Sequence, residues 1–281
     1  MASLAIGPRR FAFGLARAYV GLLDILVPKL RNVAHRNLVL AFPEMGEKRR
    51  WQIADGSFRS IARLLVTLAR MPTFTRENIG EWIAYDGLEH FHTAKSGGNG
   101  VLFATAHLGN WELSAFAHGM LTEPMNVVVR PLDNPKIDAM VTRLRTMTGN
   151  KVIEKKDYAR GILRALGRNE AVGILIDQNT SIEEGVFVDF FGLSACTNPG
   201  FAKVAAHSGA SIIPGYALWD EKLGRYVLKF YPSYLATGDP VEDTRRIHAD
   251  LEIVIRQHPE QWLWIHRRWR TRPQGEQPLY S

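Results

Sequence analysis

Two residues of the stretch ATAHLGNWEL, His107 and Glu112, stand five positions apart with only Leu, Gly, Asn and Trp between them. Imidazole is the side chain that changes charge near neutral pH, and a carboxylate on one ring nitrogen fixes the tautomer and leaves the other as a base. Neither Ser nor Cys occurs in this turn, so such a base would act on a hydroxyl brought by the substrate. Gly109 allows close approach of chain or ligand. Asn110 suits a helix N-cap, where free amides favour negative charge. A histidine that merely ends a strand and caps a helix is the plainer reading, and spacing alone leaves both open.

Further candidates lie at the ends of other apolar runs. Arg130 closes MNVVVRPL and is the cation expected to meet an oxyanion or a phosphate through its planar fork; a capping or surface role is the alternative. Asp177 and Gln178 close AVGILIDQ, where an acid and an amide suit sugar hydroxyls or the orientation of Arg130, or merely satisfy their own turn. Near the C-terminus His266, Arg267, Arg268, Arg270 and Arg272 alternate with Trp262, Trp264 and Trp269. Basic residues beside aromatics suit anionic headgroups, single-stranded nucleic acid, or a basic tail whose tryptophans close the core. His90 and His92 in EHFH lack metal-site spacing and read as a turn, so no metal is expected. Cys196, the one cysteine, excludes an intramolecular disulfide and reads as a small buried residue rather than a nucleophile.

These positions need strands and helices to bring them together. Strands are expected at 100–107, 125–132, 151–155, 171–178, 211–218 and 225–232, with helices from Asn110, Asn134, Asp157, Asn198 (Pro199 at the first helical position) and Asp243. That alternation predicts an α/β fold with a mixed, mostly parallel central sheet flanked by helices, whose sites lie at the carboxyl ends of strands. Residues 48–70 carry apolar positions at three- and four-residue steps, the signature of an amphipathic helix that Pro72 stops. Upstream, 9–31 is mostly apolar but holds Arg17 and Asp24, which disfavours a spanning helix. The expectation is a helix in the membrane interface, with Arg9, Arg10, Lys29 and Arg31 meeting anionic headgroups. Residues 1–72 then form a helical, membrane-associating region and 73–281 an α/β domain.

AHLGNWE, followed in order by RPLDNP (130–135), DQN (177–179), the run 186–214 and HPEQWLWIHRRWRTRP (258–273), resembles the late acyltransferases of lipid A biosynthesis, the lauroyl and myristoyl transferases of the lysophospholipid acyltransferase superfamily. The resemblance runs from NLVLAFPEM (37–45) nearly to the end of the chain. It implies a glycerolphosphate-acyltransferase-like fold, His107 as general base and Glu112 as its support. It also implies transfer of a fatty acyl chain from an acyl carrier protein thioester to a hydroxyl of a phosphorylated glycolipid, a lipid A precursor, without metal or other cofactor. Catalysis is expected from His107, Glu112 and Arg130, and substrate binding from Asn110, Asp177, Gln178, Arg267 and Arg268, at the cytoplasmic face of the inner membrane.

Composition fits anionic partners: 35 Lys and Arg against 28 Asp and Glu leave a net charge of +7, which favours an acidic carrier and an anionic membrane surface. Nucleic acid is not an expected partner. The same chemistry on a phosphatidylinositol mannoside, an ornithine lipid or a lysophospholipid, or with acyl-CoA as donor, is the alternative reading. A nonenzymatic basic membrane- or nucleic-acid-binding protein is the alternative from another class.

Overall fold

The computed structural model of the chain describes residues 2–154 and 158–280. Four helices open it: α1 (Ala2–Ala5), α2 (Arg9–Leu26), α3 (Pro28–Ala41) and α4 (Glu47–Arg70). The expected helix through 9–31 is in fact two, because Pro28 has no amide to continue α2 and starts a new helix at 91° to it. No single described helix is long and apolar enough to cross a membrane, although this bent pair would pass such a test together. Two of the expected headgroup ligands are spent on the protein itself. Arg9 donates to the Glu81 and Gly224 carbonyls and lies 4.1 Å over Trp82, and Arg31 pairs with Asp24 and Asp55. Arg10, Arg17 and Lys29 stay exposed.

The rest of the chain alternates as expected: β1 (Ile83–Asp86), α5 (Leu88–Ser96), β2 (Val101–Thr105), α6 (Trp111–Leu121), β3 (Asn126–Val129), α7 (Pro135–Thr146), β4 (Lys151–Glu154), α8 (Tyr158–Leu166), β5 (Ala171–Leu175), β6 (Val186–Phe190), β7 (Leu193–Thr197), α9 (Gly200–Ser208), β8 (Ser211–Asp220), β9 (Arg225–Phe230) and α10 (Pro240–Gln257). Lys155, the expected end of β4, and Asp157, the expected start of the next helix, lie outside the described residues. Seven strands form one sheet in the order β1-β9-β8-β2-β5-β3-β4, parallel throughout except at β8–β9. The fold class is therefore mixed α/β with a mostly parallel sheet between helices.

Successive residues of β2 explain the layering. Val101 and Phe103 point to one face and join Phe91 of α5 and Phe116 of α6; Leu102 and Ala104 point to the other and join Ile162, Phe201 and Leu251. Both sides of the strand are buried, so it reads as a continuous apolar run. Ala12 and Ala16 of α2 share the first of these clusters, which docks the N-terminal helices on the sheet.

Three local expectations differ from the structure. EHFH is not a turn: it lies within α5, where His90 and His92, two residues apart, do not share a face. The last helix begins at Pro240 rather than Asp243, because Asp239 caps it through the Val241 and Glu242 amides, while Asp243 turns back to accept the Thr237 and Gly238 amides. The helix expected from Asn198 starts at Gly200, whose amide Asn198 accepts at 2.8 Å. The hairpin β6–β7 is an addition to the expected strands, turning at Phe191 and Gly192, both at positive φ.

Candidate active site

His107 and Asp177 are brought together by sheet register. In the parallel pairing of β2 with β5, Thr105 lies opposite Leu175 and the Ile176 amide donates to the Thr105 carbonyl. Two residues beyond this last pair, at the carboxyl edge, His107 Nδ1 sits 2.9 Å from Asp177 Oδ1, and the His107 amide donates to Asp177 Oδ2 at 3.0 Å. A carboxylate only accepts, so in the neutral tautomer of the ring Nδ1 carries the proton and Nε2 holds the lone pair. The indole Nε1–H of Trp262 donates to Asp177 Oδ2 at 2.8 Å. Burial alone would raise the Asp177 carboxyl, but the charge and ring N–H of His107, the Trp262 indole and the His107 amide outweigh it and hold the acid below the usual carboxylate range. The arrangement is that of a base oriented by an acid.

The turn after His107 is fixed by its glycine. Gly109 has φ +65°, and a Cβ there would lie 2.0 Å from the Ala217 carbonyl oxygen, which accepts the Asn110 amide at 2.9 Å. Asn110 then caps α6, accepting the Leu113 amide and donating to Thr67 Oγ1 at 2.7 Å. It is fully buried, with its side chain committed to the fold. A cleft beside the imidazole is lined by Ser60, Ile61 and Leu64 of α4, Trp111 and Leu263. The Trp111 ring meets the His107 ring edge-on, centroids 4.9 Å apart.

Glu112 takes a different partner from the one its spacing suggests. In the first turn of α6 its carboxylate faces α7 and accepts Arg145 Nε at 2.9 Å and Nη2 at 2.5 Å, with both side chains largely buried. No hydrogen bond among the described residues joins Glu112 to His107, because the left-handed Gly109 and the capping Asn110 turn the chain between them. Arg145 stands 33 residues from Glu112, and nothing in local spacing marks it.

The other candidates divide by burial. Arg130 follows β3 at the same carboxyl edge, its side chain 80% exposed, and its ion pair among the described residues is with Asp133 at 3.7 Å. Gln178 is exposed beside Asp177. Arg267 is half-buried, with its guanidinium 5.7 Å from the Tyr280 ring. Arg268 is fully buried and donates to the Cys196 carbonyl at 2.8 Å and to Thr197 Oγ1, so it braces the β6–β7 hairpin and offers no surface to a ligand. Cys196 is buried, and burial pushes its thiol up. No cluster of three or more His, Cys, Asp or Glu suited to a metal occurs among the described residues.

The chain matches the family model described as bacterial lipid A biosynthesis acyltransferase over residues 1–271. Among curated relatives it is 31% identical to a lipid A biosynthesis lauroyltransferase of Escherichia coli, over 88% of this chain and 81% of the relative. It is 29% identical to a lipid A biosynthesis acyltransferase of Haemophilus influenzae, over 88% and 78%. A lipid A biosynthesis myristoyltransferase of Escherichia coli is similar at 24% identity over the whole chain and 88% of its own length.

Proposed function

Because the chain belongs to the bacterial lipid A biosynthesis acyltransferase family, we propose that it moves a fatty acyl group from an acyl carrier protein thioester to a hydroxyl of a lipid A precursor, with His107 as general base and Asp177 as the acid that orients it. The observation that carries the reading is the Nδ1–H···Asp177 hydrogen bond, which leaves Nε2 as the basic nitrogen beside the cleft. Nε2 takes the proton of the acceptor hydroxyl as its oxygen attacks the thioester carbonyl. The tetrahedral intermediate then collapses, the carbon–sulfur bond breaks, and the leaving thiolate recovers the proton from the imidazolium. Asp177 stabilises the imidazolium between these steps.

Glu112 in this mechanism does not touch the base; its ion pair with Arg145 fixes α7 against the helix that begins the site. Arg130, extended at the rim, is suited to a phosphate of the acceptor rather than to the oxyanion beside His107. Phe11, Leu22, Ile25 and Leu26 of α2 are exposed with Arg10 and Arg17, which supports seating of this helix in an anionic membrane interface. The enzyme would then meet its lipid acceptor at the cytoplasmic face of the inner membrane.

The test is transfer of a labelled lauroyl chain from acyl carrier protein to purified tetra-acylated lipid A precursor in mixed micelles. Wild type is expected to transfer, folded His107→Ala to lose turnover, and Asp177→Asn to lose about 10²–10⁴-fold, the range of positioned acid–base catalysis. Full activity in folded His107→Ala removes the base; no transfer by wild type removes this donor and acceptor pair.

A further inference from the structure

The segment after α10 crosses the carboxyl edge of the sheet as a strap. Leu263 donates its amide to the His107 carbonyl at 2.9 Å, Gln261 accepts the Gly109 amide at 2.9 Å, and Leu108 and Trp262 form an antiparallel bridge between these bonds. The strap is pinned from behind by α4, whose Ser57 hydroxyl donates to the Trp262 carbonyl at 2.7 Å. Gly56 makes that approach possible, since a Cβ there would lie 2.3 Å from Glu260 Cβ. With its main chain held, Trp262 has little freedom. Its ring meets Trp264 edge-on at 4.5 Å and lies near Phe190 and Phe191.

The indole N–H ends on Asp177 Oδ2, the oxygen that also accepts the His107 amide, while Oδ1 faces the imidazole. Trp262 and Asp177 are 2% and 3% exposed, so this bond is made away from water, where it is electrostatically stronger. An indole only donates, which makes the bond independent of any rotor or tautomer.

We propose that Trp262 is a positioning residue for the His107–Asp177 pair: its indole N–H takes up part of the Asp177 charge and so limits how tightly the carboxylate holds the imidazolium. The proposal rests on the reading of His107 as the base. With the donor in place, the carboxylate holds the imidazolium less tightly, and the proton taken from the acceptor hydroxyl passes on to the leaving thiolate. Without it, the carboxylate concentrates its charge on the imidazolium, and the resting enzyme stays protonated to higher pH.

Other groups face the same carboxylate: Arg268 and His266 from the strap side, His248 from α10 and Tyr216 from β8. Burial lowers His248 and His266 to about 4, which leaves both neutral near pH 7, and the Tyr216 hydroxyl stays protonated, so Arg268 is the standing cation. Arg268 keeps its position when the indole is changed, because its guanidinium is fixed by the hairpin.

The test compares wild type with Trp262→Phe and with a protein carrying 3-benzothienylalanine at position 262, an isostere of tryptophan with sulfur in place of the N–H. Two readouts are taken: the pH profile of kcat/KM for lauroyl transfer, and the titration midpoint of the His107 imidazole by nitrogen-15 NMR. Both variants are expected to move the acid limb and the imidazole midpoint upward by about one pH unit, a tenfold loss at a pH below the limb, with the high-pH plateau retained. Asp177→Asn should move the midpoint down. An unmoved midpoint in the benzothienyl protein overturns the proposal even where activity falls, since a ring that only fills space predicts that result. Should His107→Ala transfer as well as wild type, the base reading fails, and the NMR midpoint still decides whether Trp262 tunes the pair.

Discussion

Replacing Arg145 by Met tests the placement of Glu112 most directly. The substitution removes both donors from a carboxylate whose side chain is 9% exposed, against a guanidinium 14% exposed. Two hydrogen bonds to charged groups, at 2.9 and 2.5 Å, contribute about 1.5–3 kcal/mol each, or about 3–6 kcal/mol together. Breaking a buried pair by removing one partner costs about 3–5 kcal/mol, largely because the survivor is left charged and unpaired. Both routes converge near 4 kcal/mol (about 10³-fold in the folding equilibrium). The double variant Glu112→Leu, Arg145→Met removes both charges and should recover most of that loss, giving a coupling energy of at least about 2 kcal/mol. The assay is urea unfolding in detergent followed by tryptophan fluorescence, for wild type, the two single variants and the double. Additive losses, with coupling below about 0.5 kcal/mol, would refute the buried pair. The pH–rate profile adds a second check. If Glu112 oriented the imidazole, Glu112→Gln would move the acid limb and Asp177→Asn would leave it in place, the reverse of what the geometry requires.

Other expectations follow from the same structure. Burial, helped by the nearby Lys95 ammonium, lowers His118 to about 3, and burial lowers His248 and His266 to about 4; the unfolded chain therefore takes up protons that the folded protein refuses from about pH 6.5 downward. Stability is complete above about pH 6.5 and falls as pH drops toward 4, by at most about 1.4 kcal/mol per pH unit for each group; denaturant unfolding should show this slope, and a flat response in wild type would contradict it, while His118→Phe should make it shallower. Gly109→Ala should cost at least about 1–3 kcal/mol from its left-handed backbone alone, plus the clash with the Ala217 carbonyl. Thermal unfolding and lauroyl transfer should both fall, and an alanine variant with wild-type values would mean that the turn is not held as described. Raised ionic strength should increase the KM for acyl carrier protein with little change in kcat, given the +7 charge of the chain; a salt-independent KM would remove electrostatic recruitment.

His107 was legible in the sequence as a strand-end candidate and its hydrogen-bond partner was not, for a reason rooted in topology. His107 ends an apolar run just before a capping Asn and a helix, a pattern local enough to read. The carboxylate bonded to its imidazole lies 70 residues away, and only the adjacency of β2 and β5, with β8 on the other side of β2, makes that separation short. Period-two patterning gives the strands but not their order, so Glu112, five residues away, looked the better partner. Asp177 itself was visible as a strand-end acid, and with the strand order known its role follows from register alone. The β6–β7 hairpin escaped for a different reason. Its turn is Phe191-Gly192 rather than Asn-Gly or Asp-Gly, and Phe191 accepts φ 59° only because Glu252 takes its amide at 2.5 Å and its ring packs on Phe42, Trp262 and Trp264. Tertiary contacts there override turn propensity.

The two carboxylates of the site divide its work by the kind of cation each one holds. Glu112 faces a guanidinium, which stays charged at every relevant pH, so this pair cannot change state during a proton transfer and serves as fixed structure. Asp177 faces an imidazole, whose charge would appear and disappear within the proposed reaction, so its interaction energy would differ between resting enzyme and intermediate. Only the second can lower a barrier. A strap that donates a further hydrogen bond to Asp177 acts on that difference, whereas one that touched Glu112 would alter stability alone. The indole of Trp262 ends on Asp177, so under the proposed mechanism the segment after α10 would be among the elements that set the chemistry of the site.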